Sequence, residues 1–484
     1  LETTSHQPAA LVWFRRDLRV EDQPAFAAAV RNGRRVIPVF IWSPSEESPW
    51  SCGDASCWWL HHSLQDFRTV LKDLGLNLIL RHGPAHSALD LLLKETGASE
   101  VYWNRLYDPL LVSLDRQIES ALRAKGIKPY VFNGSLLFEP WQLLRAEGSP
   151  YKVFTPFWNN LMAQKMPPID SVHRCPVLGP RRWPTSLAIN ELKLLPQIDW
   201  TGGLRKEWKP GSRNALKIMA QFLRGAISEY RGERDRPDHR GTSRLSPYLH
   251  FGEISPRQIW HASKDKRNAQ SFLRQIAWRE FAHHLLYYFP ETTAEPMRRE
   301  YAGFPWVQSS SRLRAWQKGR TGYPIVDAGM RELWTTGWMH NRVRMVAASF
   351  LVKHLLISWQ AGAKWFWDTL VDGDLANNTM GWQWVAGCGA DAAPYFRIFN
   401  PVLQGEKFDP DGTYVRQWVP ELSRMPANWI HKPWDCPEHV LSAAGVVLGK
   451  NYPKPIVDHA AARRRALLAY ERMKTSVKRI AGRR

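Results

Sequence analysis

Cysteine is scarce in this chain, with five residues in 484, at positions 52, 57, 175, 388 and 436, and no pair at C-x-x-C spacing. That scarcity excludes a disulfide framework and the usual zinc sites, and it points to a reducing compartment. Only Cys388 and Cys436 lie in the C-terminal half, so a four-thiolate iron–sulfur cluster cannot be built there. No apolar run reaches the roughly 18 residues of a membrane span. The first residues lack the apolar core of a secretion signal. G-x-G-x-x-G and G-x-x-x-x-G-K are also missing, which removes the ordinary dinucleotide and P-loop sites. No internal repeat is present. Acid is short relative to base, 45 Asp and Glu against 66 Lys and Arg, so the net charge is +21. Tryptophan is abundant instead, at 25 residues. Cationic surface interleaved with ring faces is how unstacked bases are held, so a nucleic acid is the expected partner.

A chain of this length forms two or three domains and buries enough surface to need no staples. The first part alternates short apolar runs with helical patterns. ALVWF (10–14), VIPVFIW (36–42), NLILR (77–81), SEVYWN (99–104) and KPYVFNG (128–134) read as strands, and PAFAAAVRNG (24–33) and SCWWLHHSLQDFRTVLKDLG (56–75) as helices. This alternation predicts an α/β domain over 8–134, with a parallel sheet covered on both faces. Residues 135–205 are rich in Pro and Trp and weakly periodic, and read as a long ordered linker. From 206 to 478 the pattern is helical, with apolar residues three and four apart in RNALKIMAQFLRGAISEY, SPRQIWHASK, SFLRQIAWREFAHHLLYYF, PIVDAGMRELWTTG and HNRVRMVAASFLVKHLLISW. The last of these, 340–359, reads as one helix, and RRRALLAYERMKTSVKRIAGRR as a basic amphipathic helix running into a polar tail.

The densest stretch chemically is DGDLANNTMGWQW (372–384), with two acids, two amides and two indoles on what reads as a non-repetitive segment. It suits a polar ligand that is flat or exchanges electrons, and reads equally as a turn leading into a core element through buried Trp. At about 100° per residue, Asn341, Arg344 and Met345 share one helix face with Arg342 at its edge, a poor core but a fitting wall for a pocket near phosphate. Gln275, Trp278, Arg279 and Ala282 share another face, where an amide one turn from an indole can read a base edge. Gly-Thr-Ser-Arg-Leu-Ser-Pro (241–247) offers hydroxyls and backbone donors ahead of a helix, a pattern that cradles phosphates and also occurs at ordinary helix caps.

WFRRDLR (13–19), TSRLSPYLHFGEIS (242–255), AWREF (277–281), TGYPIVDAGMRELWTTGWMHNRVRM (321–345), DGDLANNTMGWQW and DAAPYFRIFNPVLQGEKFD (391–409) occur in this order. Through them the chain resembles the photolyase–cryptochrome family over about residues 8 to 475, most nearly the photolyases that repair cyclobutane pyrimidine dimers in DNA. The resemblance implies an α/β antenna domain with a Rossmann-like sheet, followed by an all-α domain holding FAD. Its flavin site falls on Tyr230, Thr242, Ser243, Arg244, Leu245, Ser246, Arg279, Arg344, Asp372, Gly373, Asp374 and Asn378. Thr242 to Ser246 would hold the pyrophosphate, Arg344 would pair with Asp372, Asp374 would accept a hydrogen bond, and Asn378 would face flavin N5. The plant photoreceptor branch carries Asp at that position, so Asn378 favours repair.

The lesion pocket implied is Gln275, Trp278, Asn341, Arg342, Met345 and Trp384, with Arg397, Gln404 and Lys407 at the DNA surface. The dimer leaves the stack to enter it. By the resemblance, excited reduced FAD would give it one electron, the ring would open and the electron would return, with the cofactor carrying the chemistry. Trp382, Trp359 and Trp306 match the relay that reduces oxidised flavin under light. The partner implied is ultraviolet-damaged DNA, single- or double-stranded, met by a monomer in the cytoplasm, on the nucleoid when bound. A second, antenna chromophore is expected, methenyltetrahydrofolate or alternatively 8-hydroxy-5-deazaflavin, near WNRLYDP (103–109).

Two departures stand out. The dimer enzymes usually have Glu where this chain has Gln275, and an amide cannot share a proton with a radical anion as a carboxylic acid can. Six-four photolyases place histidines where this chain has Asn341 and Met345; His340 is one residue off and points about 100° away. The expected function is therefore dimer repair, with a cryptochrome photoreceptor and a six-four photolyase as alternatives.

Overall fold

The computed structural model describes residues 8–171, 176–395 and 397–481, with side chains to 475. Cys175 and the last three residues of the basic C-terminal stretch lie outside the described residues. The chain divides into two compact units. The first gathers the chain up to Ser228, then Ser243–Pro290 and Val371–Asp374; the second gathers Glu229–Thr242, Glu291–Leu370 and the chain from Leu375 onward.

In the first unit, strands β1 (Ala9–Phe14), β2 (Arg35–Trp42), β3 (Ile79–His82), β4 (Glu100–Asn104) and β5 (Lys128–Phe132) form one sheet in the order β3-β2-β1-β4-β5. Every pairing is parallel. Helices α1 (Pro24–Arg31), α2 (Asp54–Asp73), α3 (Ala85–Thr96) and α4 (Pro109–Ala124) connect the strands. Alternation along β1 explains why both faces are covered. Leu11 and Trp13 join a cluster with Leu89 and Leu92 of α3 and Ile118 of α4. Phe14 turns to the other face, against Phe26 of α1 and Phe67 of α2.

The order reverses between β1 and β4, the place where doubly wound sheets open a crevice. Here the chain's own polar groups meet in it. Asp17 accepts hydrogen bonds from Gln23 and Asn104, each at 2.7 Å. Arg15 donates to the Asn104 carbonyl at 2.5 Å and pairs with Asp115 at 2.7 Å. Gly252 closes against this loop. A Cβ there would lie 2.2 Å from the Arg16 carbonyl oxygen, and its φ of +63° is one that glycine adopts freely.

Residues 135–205 are not without regular structure. Helix Phe154–Ala163 buries Phe154, Phe157, Trp158 and Leu161. Proline at 150 and 156 and the brevity of the element hide its periodicity. Helix Ala269–Tyr288 runs beside it in the same unit.

The second unit packs helices Ser310–Gln317, Pro324–Thr336, Asn341–Ser349, Trp359–Thr369, Leu375–Ala386 and Pro401–Phe408 with the C-terminal helix His459–Ala481. Trp316, Tyr323, Trp359, Trp382 and Tyr414 lie in its core. Much of the long TGYPIVDAG motif is scaffold. Asp327 is fully buried and accepts hydrogen bonds from Thr321, the Gly322 amide and the Tyr452 hydroxyl.

Two expectations are corrected here. Residues 340–359 are not one helix: the first ends at Ser349, a wide π turn covers Phe350–His354, Leu356 has φ +54°, and a new helix starts at Trp359 with Ser358 as its cap. Residues 350 to 357 are all buried, so their apolar run carries no amphipathic period to mark the break. Likewise, only 372–374 of the acid-amide-indole stretch is irregular, because a helix begins at Leu375. Asn, Thr and Gly, poor helix formers, mask it in the sequence.

Candidate functional site

The residues singled out from sequence fall into both units. In the first unit, Gln275, Trp278 and Arg279 line one face of helix 269–288, each partly buried. The Trp278 ring stacks on Phe154 with centroids 3.8 Å apart and planes within 7°. The Arg274 guanidinium lies 5.1 Å from the Phe154 centroid. Gln275 donates to the Ser271 carbonyl at 3.3 Å, a turn back on its own helix. Arg279 donates to the Ser135 carbonyl at 2.8 Å.

One turn beyond Arg279, His283 sits 3.4 Å from the Asp374 carboxylate. Burial by itself would raise the Asp374 carboxyl, but His283 and Arg279 outweigh it and hold the group well below the usual carboxylate range. Asp374 is therefore ionised. The backbone of 372–374 folds back, Asp374 N–H donating to the Asp372 carbonyl at 2.8 Å, with Asp372 and Gly373 buried. Burial, with Arg16 second, pushes the His250 imidazole down to about 3, so it is neutral, and its Nδ1 is buried with no hydrogen-bond partner. In the adjoining loop the Leu245 N–H donates to Ser243 Oγ at 3.4 Å. Arg244 has φ +55°, and Ser246 opens a helix of only five residues. A hydroxyl-bearing loop, an ionised carboxylate, an arginine and a neutral imidazole with a spare nitrogen fit a ligand that combines phosphate, ribose and a polar ring.

Glu280 adds a pH-dependent element beside Arg279. It is 2% exposed, accepts from the Leu137 amide at 2.7 Å, and is raised to about 7, by burial first, against the opposing pull of Arg279 and His283. Between the ordinary value of 4.5 and 7 the folded chain keeps a proton that the unfolded chain has released. Stability contributed here is therefore present below 4.5 and lost as pH rises through 7. Glu280→Gln, neutral and isosteric, should raise the melting temperature over wild type at pH 8 and make little difference at pH 5; equal shifts at both would refute this.

In the second unit, Tyr230 is buried and carries Arg234 5.7 Å from its ring centroid. Thr242 is half-buried. Arg344 Nε donates to the Met339 carbonyl at 2.7 Å. Asn378 Nδ2 donates to the Ala363 carbonyl at 2.9 Å, which orients the amide and leaves Oδ1 as an acceptor. Asn341 is exposed at the start of helix 341–349, its Nδ2 3.9 Å from Met345 Sδ. Arg342 already has partners, Asp235 at 2.9 Å and the Phe408 ring at 4.4 Å, so a DNA phosphate would share it with a carboxylate. His340 is not an Asn341 substitute. It is 2% exposed, its Nδ1 accepts from the Arg342 amide as helix cap, and burial first pushes it down to about 4.

The indoles separate by exposure. Trp384 is half-exposed, whereas Trp382 is 3% and Trp359 2% exposed and Trp306 is again partly open, 4.4 Å from Phe304. Gly362, one turn along from Trp359, lets the Trp382 ring come so close that a Cβ there would lie 2.1 Å from it. Gln404 is half-buried and Lys407 exposed on helix 401–408. Arg397 is exposed, and its carbonyl accepts from buried Lys353 at 2.9 Å.

Sequence reasoning missed His283, Phe154 and Gly362. Only His283 had a usable signal, four residues after Arg279 and so on the same helix face. It also missed an open-sided cavity of about 470 Å³ in the first unit, lined by Trp58, His62, Asp66, Arg205, Trp208 and Lys209 among others. In the WNRLYDP segment Arg105 and Tyr107 bond Glu139 and Asp108 bonds Arg16, while Trp103 Nε1 and Asn104 Oδ1 are buried without a hydrogen-bond partner. Among the described residues no helix is long and apolar enough to cross a membrane.

Residues 10–175 match the DNA photolyase family, and residues 272–472 match the FAD binding domain of DNA photolyase. The chain is 48% identical over 471 residues to the deoxyribodipyrimidine photo-lyase of Agrobacterium fabrum, covering 96% of this chain and 98% of that protein. It is 42% identical to Cryptochrome-1 of Arabidopsis thaliana, covering 94% of this chain and 69% of that protein. Among solved structures, a bacterial class III photolyase from Agrobacterium tumefaciens has a TM-score of 0.94 at 46% identity, covering 98% of this chain and 99% of that one. A parallel α/β sheet followed by a helical FAD-binding part defines a two-part flavoprotein. The chain belongs to the photolyase–cryptochrome family.

Proposed function

We propose that this protein is a deoxyribodipyrimidine photo-lyase that removes cyclobutane pyrimidine dimers from DNA under near-ultraviolet or blue light. The observation that carries this is the 48% identity to a photo-lyase of that name over nearly the whole of both chains. Asn378 supports repair over signalling, being a neutral amide with its Nδ2 fixed on the Ala363 carbonyl. FAD, when bound, supplies the light-driven one-electron chemistry.

The chain's residues bind and orient. Ser243 to Ser246 and Thr242 hold the pyrophosphate, ionised Asp374 and Arg279 fix the polar part of the flavin, and Tyr230, Arg344, Asp372 and Asn378 complete its site. Trp278 and Trp384 give the flipped dimer flat walls, Met345 a soft contact, and Gln275 and Asn341 polar edges. Arg342, Arg397, Gln404 and Lys407 meet the DNA. Trp382, Trp359 and Trp306 return electrons to oxidised flavin. The protein acts as a monomer on single- or double-stranded damaged DNA in the cytoplasm. The helical part from 206 to 478 does this work, the α/β part of 8–134 serves light collection, and 135–205 joins them. The second chromophore, methenyltetrahydrofolate in this reading, takes the Trp58–Trp208 cavity, where buried indoles form part of the wall and Arg205 and Lys209 suit its carboxylates.

The test is to incubate the reduced protein with dimer-containing DNA in light and in darkness. Light-dependent loss of dimers is expected; binding without loss would sink the enzyme reading. Gln275→Glu, which restores a group able to share a proton with the dimer radical anion, should raise the yield of dimers repaired per absorbed photon. An unchanged yield would mean that position 275 does not limit repair.

A further inference from the structure

Arg244 occupies the middle of the Ser243–Ser246 loop with φ +55°, a left-handed conformation that a residue with a Cβ keeps only where its surroundings hold it. Its side chain leaves the loop. The guanidinium carbon lies 4.6 Å from the Trp208 ring centroid, and NH1 lies 2.7 Å from the Glu207 carboxylate. Trp208 is 4% exposed, packs edge-on against Trp59 at 5.5 Å, and forms part of the wall of the 470 Å³ cavity with Trp58. The backbone of one residue therefore belongs to the phosphate loop, and its side chain braces the wall of a second cavity. A planar guanidinium can stack on an indole and pair with a carboxylate at once; an ammonium does this poorly.

We propose that Arg244 is a positioning residue that links two ligand sites. Anchored on Trp208 and Glu207, it holds the Ser243–Ser246 loop in the conformation that receives the flavin pyrophosphate, and it ties that loop to occupancy of the Trp58–Trp208 cavity by a flat, anionic aromatic ligand. The inference rests on the flavin loop and cavity readings given under Proposed function. Binding linkage makes the effect reciprocal: a ligand that stiffens the Trp208 wall tightens FAD, and FAD tightens that ligand.

The experiment follows FAD release from the full-length, FAD-loaded protein by the rise in flavin fluorescence. Arg244→Gly removes the anchor and accepts the same φ without strain, and Arg244→Asn, which tolerates that φ but keeps a Cβ, controls for the backbone freedom glycine adds; faster release is expected in both, about 5- to 150-fold, the range of such coupling. Arg244→Lys should rescue in part. Saturating methenyltetrahydrofolate, its binding read from its own absorbance, should slow release from the wild type and leave Arg244→Gly unaffected. Ser246→Ala separates the two levels. Faster release in Ser246→Ala with wild-type release in Arg244→Gly would overturn the anchor and leave the flavin loop standing. Wild-type release in both would overturn both. Bound folate without effect on wild-type FAD release would overturn the coupling, whatever the variants do.

Discussion

Trp382→Phe is expected to abolish the light-driven reduction of oxidised flavin while leaving repair by chemically reduced protein intact. The two readouts separate under the proposed role of this residue, electron supply to the flavin rather than a wall for the lesion. Trp382 is 3% exposed, T-shaped to Phe366 at 5.0 Å and to Trp316 at 6.1 Å, and seated on Gly362. Phenylalanine is smaller and apolar, so it fits the same space without a clash; unlike indole, it is a poor one-electron donor. Absorbance of the oxidised flavin under continuous illumination with an external reductant measures the first readout, and dimer loss after dithionite reduction the second. Bleaching at the wild-type rate would mean that another side chain supplies the electron. Loss of both activities with an unchanged melting temperature would place Trp382 at the lesion or the flavin instead.

Trp278→Ala carries the second large effect. The indole is partly open and backed on one face by Phe154 at 3.8 Å, and in the proposed lesion pocket a base stacks on the other face. A base–aromatic stack is worth about 1–3 kcal/mol, roughly 5- to 150-fold in affinity. Affinity for dimer-containing DNA should fall by that factor. Affinity for undamaged DNA should hold, because phosphate contacts dominate it and this residue is uncharged. Titration of both DNAs at one salt concentration measures the ratio. An equal loss on both would mean that the variant disturbs the protein rather than the lesion wall.

The central strands β1, β2 and β4 were legible because each is an apolar run buried on both faces, and that burial writes itself into composition; the edge strands β3 and β5, only partly buried, were legible as short apolar runs between helical patterns. Long helices with one apolar face were legible for the same kind of reason. Helix 154–163 was too short and too interrupted by proline, and the π turn after Ser349 was buried on every side, so neither left a period to read. Among the candidate residues, those on one helix face, such as Gln275 with Trp278 and Arg279, were grouped correctly by spacing alone.

Residues that meet only through folding were not legible. Nothing in the order of the chain says that Asp374 finds His283, that Phe154 backs Trp278, or that Arg244 leaves its own loop to cover Trp208. The sequence by itself determined the basic charge, the fold class and the family, through local periodicity and long contiguous motifs. The tertiary structure alone decided which side chains hold which, because long-range packing brings together segments whose separation along the chain leaves no local trace.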